Sequence, residues 1–253
     1  MMLRYLLIFA LVIAAAAASA AEKTEIRPGQ YVLDGDRGTL SIRKGGAQNK
    51  LTFEIGSVGQ NCHSCSVSGV ISGATGHGDS WAGDGSDSKC DISFSANGTD
   101  VMVRPMTQDA CRAYCGMRAG FDGTYRIPPV ACASAGRKKL RDRFLGLYSA
   151  RQFVQAGETL QTLIAQCKSF MGWIEIDQVR NDLALAQYRS GESQLCLTTL
   201  SDTLAARVRD EQELKSGSGG VNLPPCDFES YIGVAKATWF NKALCTKASS
   251  KGQ

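Results

Sequence analysis

Histidine is scarce in this sequence, where His63 and His77 are the only two among 253 residues. A Ser-His-Asp arrangement would need one of them beside a serine that no motif marks. The G-x-S-x-G, P-loop and H-E-x-x-H patterns are also missing. Two carboxylates facing across a cleft, as in a glycosidase, would leave no mark in a sequence. With that option left open, we expect a protein that is not an enzyme, and we expect no cofactor.

Strong charge is lacking as well. The formal net charge is +4, and the densest basic run is Arg137-Lys138-Lys139, which we interpret as the solvated start of a helix. This mild balance argues against a nucleic-acid partner. No apolar run beyond the N-terminal segment approaches the ~18 residues that a membrane span needs. We therefore expect no membrane anchor in the mature chain.

The first twenty residues have the pattern of a secretory signal peptide. Arg4 precedes an apolar run from Leu6 to Ala18, which ends in Ala18-Ser19-Ala20. A basic start, a short apolar core and an A-x-A site predict cleavage after Ala20. The residue immediately after that site is Ala21 and not cysteine, so a bacterial lipid anchor has no acceptor. The pattern predicts export, and we expect a periplasmic protein.

Ten cysteines follow the signal, and in an exported chain an even number predicts a disulfide framework. We expect structural pairing for the C-x-x-C motif Cys62-His63-Ser64-Cys65, because a strand follows it instead of the helix that a redox motif uses. Zinc and calcium are the metal alternatives, and we expect neither. The zinc candidates are Cys62, Cys65, Cys111 and Cys115, and the calcium candidates are Asp79, Asp84, Asp87 and Asp91.

Residues 21–132 are predicted to form a β domain, in which the chain from Gly29 to about Gly123 shows the period-two alternation of β-strands. Leu51, Phe53 and Ile55 share one face of a short segment, for example. The pattern predicts seven strands: Gln30–Leu33, Thr39–Arg43, Leu51–Ile55, Ser64–Ile71, Cys90–Phe94, Val101–Arg104 and Thr124–Ile127. We expect an antiparallel barrel or sandwich with a polar loop at Ala74–Lys89.

Residues 137–247 change to the period of helices, so the fold class is α+β. Apolar stripes predict two amphipathic helices, and a Gly/Ser/Pro-rich loop is expected between them at Gln212–Pro225. The stripes are Ile176, Val179, Leu183 and Ala186 in the first helix, and Phe228, Ile232, Ala235 and Trp239 in the second.

The helical half contains an internal repeat, in which four residues at fixed spacing recur 40 positions further along the chain. Gly191 stands at the expected tight turn of the second unit, and Arg151 stands there in the first. The pattern resembles tetratricopeptide repeats, whose helix-turn-helix units stack. The matched residues are Tyr148, Phe153, Ala156 and Leu160 in the first unit, and Tyr188, Ser193, Cys196 and Leu200 in the second.

Antiparallel stacking of these helices predicts two bridges, because it brings helix ends level. Cys196 should pair with Cys245, and Cys167 with Cys226. A bridge from Cys226 to Cys245 would have to span roughly 28 Å of helix. Among the strands we pair Cys65 with Cys90. Three pairings then stay open for the remaining cysteines, which are Cys62, Cys111, Cys115 and Cys132. This division predicts two separately cross-linked domains.

A resemblance covers most of the mature chain. The stretch from Cys111 to Tyr125, with Val58–Cys65 and Cys90–Phe94, resembles β-domains of periplasmic proteins of Gram-negative bacteria, some of which look related to lysozyme inhibitors. Segments Arg180–Tyr188 and Ala237–Asn241 resemble helical modules of similar exported proteins. Membrane-bound inhibitors of C-type lysozyme use S-G-x-x-Y and T-K-G segments. Of these segments this chain has only a G-x-Y part, Gly123-Thr124-Tyr125, so the inhibitor's key residues do not carry over.

The resemblance implies a protein that binds a partner, either a lysozyme-like or other cell-wall hydrolase or a toxin for which this chain is the immunity protein. Candidate contact residues are Trp81 in the polar loop, with Arg112, Arg118 and Tyr125. The alternative is a periplasmic adaptor whose helices hold an envelope protein.

Overall fold

A computed structural model describes residues 25–45, 50–79 and 89–250. The predicted signal peptide and Trp81 lie outside these residues. Eight antiparallel strands form a closed barrel in chain order. They are β1 Gly29–Leu33, β2 Gly38–Lys44, β3 Leu51–Val58, β4 Ser64–Ser72, β5 Thr75–Gly78, β6 Asp91–Asn97, β7 Asp100–Pro105 and β8 Gly123–Arg126. β8 closes the barrel on β1 through the pairs Val32↔Arg126 and Leu33↔Tyr125.

The inward faces of the strands fill the barrel with apolar side chains, as expected for a barrel of this size. Leu40, Ile55, Phe94 and Val103 are each at most 1 % exposed. The period-two pattern of the sequence therefore predicted seven of the strands correctly, with small shifts at their ends.

The one strand that the pattern did not predict, β5, was expected to be part of the loop Ala74–Lys89. Its buried positions are Gly76 and Gly78, so its sequence shows no apolar alternation. A Cβ added at Gly76 would overlap the Phe94 ring and lie 2.9 Å from that of Phe53. The rings of Phe53 on β3 and Phe94 on β6 occupy this part of the interior, and β5 passes over them because its inward positions are glycine.

The C-terminal part is helical, and the first short helix belongs to the loop between β7 and β8. The helices are α1 Gln108–Arg112, α2 Ser134–Ser149, α3 Phe153–Cys167, α4 Trp173–Arg189, α5 Ser193–Ser201, α6 Glu211–Ser216 and α7 Pro225–Ser249. Both predicted stripes lie on helices, α4 and α7. The predicted loop Gln212–Pro225 is wrong in part, because α6 occupies its beginning. Among the helices described, none is both long and apolar enough to cross a membrane.

All ten cysteines form disulfides, and one predicted bridge, Cys196–Cys245, is confirmed. The pair Cys65–Cys90 is wrong because β5 separates the two strands. Cys65 instead bonds Cys115, and Cys90 bonds Cys111. Segment 114–116 pairs with β4 beside the first of these bridges.

The predicted bridge Cys167–Cys226 is also wrong. α2 and α3 form an antiparallel hairpin, which places Cys132, just before α2, beside Cys167 at the end of α3. α7 packs against α4 and α5, and its first turn meets the segment 60–62 of the barrel. Cys226 therefore bonds Cys62. The expectation of two separately cross-linked domains is wrong, because this bridge joins barrel and helices.

Arg137 lies buried where the barrel meets the helices. Its guanidinium donates to Asp36 Oδ2 at 2.8 Å, to Glu175 Oε1 at 3.1 Å, and to the carbonyls of Cys132 and Phe170 at 2.9 and 2.7 Å. Our interpretation of the basic run as solvated is therefore wrong at this residue, which is 7 % exposed. Five donors in a planar fork suit arginine to such a set of acceptors.

Candidate binding groove beside the barrel

A groove follows the junction between the barrel and the helices. It consists of two adjoining cavities of about 550 and 340 Å³, which share Lys168, Trp173 and Ile176. The β1–β2 turn, with Asp34 and Arg37, forms the wall on the barrel side. The groove is thus built by both parts of the chain.

Trp173 is the central apolar residue of this groove. It is the first residue of α4, and the extended Gly172 precedes it. Its ring packs at 4.9 Å, centroid to centroid, on the buried Tyr231 of α7, yet 41 % of the residue remains exposed. A rigidly seated indole with a solvent-exposed surface is a typical anchor for a partner's apolar side chain.

Four cations and three carboxylates line the groove around Trp173: Arg37, Lys168, Arg180 and Arg207, with Asp34, Asp177 and Asp202. Lys168 and Arg207 are exposed, and Arg180 is half-buried. Arg180 donates to the Asp202 carbonyl at 2.8 Å and to Asp177 Oδ1 at 3.1 Å. These bonds fix the guanidinium at the groove, whereas Lys168 and Arg207 stand in solvent.

Asp177 supports the helical side of the groove from within. Its Oδ2 accepts from the Tyr231 hydroxyl and from the Leu204 backbone N–H, both at 2.7 Å. Burial, and secondly the hydrogen bond to Asp177, raise the pKa of Tyr231 far above its ordinary value. Both Asp177 and Asp202 pair with Arg180, so Lys168 and Arg207 are left without a carboxylate partner among the described residues.

A second polar cluster joins α4 to α7 behind the groove. Asn181 Nδ2 donates to Thr238 Oγ1 at 2.9 Å and to the Asp177 carbonyl at 3.0 Å. Asn241 Nδ2 donates to Asn181 Oδ1 at 3.1 Å. All four residues are buried, and satisfied buried networks of this kind fix the relative position of two helices.

A further cleft of about 570 Å³ continues from Arg207 along α7. Four cations line it, and none of its ten lining residues is acidic. The Trp239 ring forms part of its floor, held by hydrogen bonds from Nε1 to the Ala205 and Val208 carbonyls. The cations are Arg207, Arg209, Lys242 and Lys247. Groove and cleft together favour a ligand with negative charge and an apolar group.

The structure places the predicted contact residues elsewhere. Arg112 and Arg118 are exposed on the loop between β7 and β8, and Arg112 donates to the Met117 carbonyl. Tyr125 is a core residue with 0 % exposure, whose hydroxyl donates to the Phe121 carbonyl at 2.8 Å, so its predicted contact role is wrong. None of these three residues lines the groove.

Sequence reasoning missed the groove residues. Lys168 and Trp173 lie between the first repeat unit, which ends at Leu160, and the α4 stripe, which begins at Ile176. The available signal was a tryptophan three residues before Ile176, at the edge of the α4 stripe. Arg207 had no signal, since it lies in a short helical turn, residues 204–207, between α5 and α6.

The residues considered for metals have other partners. The four zinc candidates are all in disulfides. Of the calcium candidates, Asp91 Oδ1 is hydrogen-bonded to His77 Nδ1 at 2.7 Å, and Asp79 accepts from Ser68 at 2.8 Å. Asp84 and Asp87 lie outside the described residues.

Comparisons of the chain with protein-family models, with curated proteins and with solved structures found no match.

Proposed function

We propose that this chain is an extracytoplasmic protein-binding protein, an adaptor that holds an acidic segment of a partner in the groove at Trp173. The five disulfides support folding in an oxidising compartment. With the signal pattern of residues 1–20, they support export to the periplasm. An exported protein whose N-terminal sequence begins at Ala21 would test that location.

The observation that carries the proposal is an exposed, seated indole beside two exposed cations, in a groove whose exposed carboxylates, Asp34 and Asp202, pair with Arg126 and Arg180. Trp173 offers a surface for one aromatic or aliphatic side chain. Lys168 and Arg207 flank it without an ion pair among those described. An acidic segment would gain from both, because complementary charge raises the rate and specificity of association.

The helical scaffold also supports an adaptor. Two helical hairpins, α2–α3 and α4–α5, carry the two units of the internal repeat, and α7 packs after them. Under this proposal they are tetratricopeptide-like units that share a binding surface with the barrel.

Peptide probes test the groove directly. A fluorescein-labelled peptide of Glu and Asp with one central Phe is compared by anisotropy with a peptide in which Lys replaces every acidic residue. We expect the acidic peptide to bind at least about tenfold more tightly and to lose affinity as salt rises. Equal affinity of the two peptides, or absence of binding, would overturn the proposal that the chain is an adaptor.

Variants locate the binding surface. Lys168→Glu combined with Arg207→Glu should lower the affinity for the acidic peptide about tenfold or more, since two attractive charges become repulsive. Trp173→Ala should weaken binding of the acidic Phe peptide, including the part of the affinity that does not depend on salt. Lys138→Glu with Lys139→Glu makes the same change of charge on the exposed start of α2 and should leave affinity within about twofold.

A second candidate, inhibition of a cell-wall hydrolase, is supported by the loop between β7 and β8. Two disulfides fix this loop to β4 and to the residue before β6, and it presents Met117, 75 % exposed, between Arg112 and Arg118. A constrained, protruding loop of this kind suits insertion into an enzyme cleft.

A turbidity assay with several muramidases and amidases tests this candidate. If the protein inhibits, Met117→Ala with Arg118→Ala should abolish the effect, whereas Trp173→Ala should preserve it. If neither the natural chain nor any variant inhibits, the inhibitor and immunity roles against those enzymes are ruled out.

A further inference from the structure

The bridge Cys62–Cys226 differs from the other four in what it joins. It links the segment between β3 and β4 to the start of α7, over 164 residues of sequence, with 5.9 Å between the Cα atoms. Each of the other bridges lies within the barrel and its loops or within the helical part. Besides the polypeptide between β8 and α2, this bridge connects barrel and helices covalently.

It also differs in accessibility. Cys62 is exposed and Cys226 is half-buried. In every other bridge at least one cysteine is buried, with 0–3 % exposure at Cys65, Cys90, Cys111, Cys132, Cys167, Cys196 and Cys245. A thiolate needs an open line of approach to a sulfur, and access therefore selects Cys62.

The two sulfurs are chemically unequal. Cys226 is the second residue of α7, a helix of 25 residues, and its backbone N–H donates to Asn61 Oδ1 at 3.0 Å. The positive end of a helix dipole stabilises a thiolate at this position. Asp227 opposes that effect in part, but its Oδ2 accepts from the Asn61 backbone N–H at 3.0 Å. Cys226 is the better leaving group.

We infer that Cys62–Cys226 is a thiol–disulfide exchange site whose co-reactant is a dithiol. A thiolate of the dithiol attacks the sulfur of Cys62, and the Cys62–Cys226 bond breaks with its electron pair on Cys226. The second thiol of the dithiol, as thiolate, then attacks the mixed disulfide and releases Cys62. The dithiol becomes a disulfide, and the two cysteines become two thiols.

The fold should survive the exchange. Arg137 still bonds Asp36 of the barrel together with Glu175 of α4, and four disulfides remain. What changes is the link between the first turn of α7 and the barrel, where the hydrogen bonds to Asn61 remain after the disulfide opens. The inference does not depend on the groove, since the bridge can be opened and mapped without any binding partner.

Mapping of partly reduced protein tests the inference. Folded mature protein is exposed to a low concentration of dithiothreitol, blocked with N-ethylmaleimide and digested without further reduction. Cys62 and Cys226 should be labelled at least about ten times faster than any other pair. Earlier opening of another bridge, or opening of all five together, would overturn it.

A monothiol determines the direction of attack. Glutathione should form its mixed disulfide on Cys62 and leave Cys226 open to N-ethylmaleimide, and glutathione found on Cys226 would contradict the assigned leaving group. The double variant Cys62→Ser, Cys226→Ser should lose the fast phase of labelling. The matched double variant Cys196→Ser, Cys245→Ser should keep it, and mapping of the unaltered chain stands even if either variant fails to fold.

Discussion

Arg151 and Gly191 occupy the same turn of two successive helical hairpins, and both adopt a left-handed backbone, with φ of 61° and 90°. The hydrogen bonds match position by position: Arg151 N–H donates to the Tyr148 carbonyl, and Gly191 N–H to the Tyr188 carbonyl. One turn therefore meets its conformational requirement with glycine, and the other imposes it on an arginine.

Exchange of these residues should have opposite effects on stability. Arg151→Gly should raise the free energy of unfolding by about 0.5–1 kcal/mol, because relief of the left-handed strain outweighs the added freedom of the unfolded chain. Gly191→Arg should lower it by about 1 kcal/mol through the backbone alone, since a Cβ there meets no atom within 4 Å. Urea unfolding measures both, and effects of the same sign would contradict the shared turn.

Loss of the Arg137 side chain should destabilise the junction strongly. Arg137→Met leaves two carboxylates and two carbonyls without their common donor, which should cost about 3–5 kcal/mol. Lys138→Met changes the same charge at an exposed neighbour and should stay within about 0.5 kcal/mol. Equal effects of the two substitutions in urea unfolding would show that Arg137 is not a structural residue.

A methyl group at Gly76 should disturb the barrel. Gly76→Ala forces Cβ toward the rings of Phe53 and Phe94, and overpacking of this kind costs about 1–3 kcal/mol. Gly56→Ala on β3 is the matched control, because the nearest atom to its Cβ lies at an ordinary 3.8 Å. The result would contradict the packing if the two variants had equal thermal stability.

Alkaline pH should destabilise the fold through its buried tyrosines. Burial raises the pKa of Tyr31, Tyr125 and Tyr231 in the folded state. The unfolded chain then loses phenolic protons first, so stability is complete below pH ~10 and falls as pH rises beyond it. Each group contributes a slope of at most about 1.4 kcal/mol per pH unit.

Tyr231→Phe tests this linkage. The variant should be less stable near pH 7, by about 1–3 kcal/mol, because Asp177 loses the donated hydroxyl proton. Its decline between pH 9 and 11 should be shallower than that of the natural chain, as measured by urea unfolding. An unchanged alkaline slope would show that Tyr231 does not remain protonated in the folded state.

Local sequence pattern alone determined the strands with alternating apolar residues, the α4 and α7 stripes and the internal repeat of the helical half. Cys196–Cys245 was predicted as well, but from the antiparallel stacking of helices, which is a tertiary relationship. The strands, the stripes and the repeat depend on interactions within a strand, a helix or a hairpin, where residue spacing and side-chain direction are fixed by backbone geometry.

Tertiary structure decided the rest. The strand β5 is invisible to periodicity, because its buried positions are glycines that yield space to Phe53 and Phe94. The bridge Cys62–Cys226, the buried Arg137 and the groove at Trp173 arise where the barrel meets the helices. Residues from distant parts of the chain meet there, and no local pattern records which of them become neighbours.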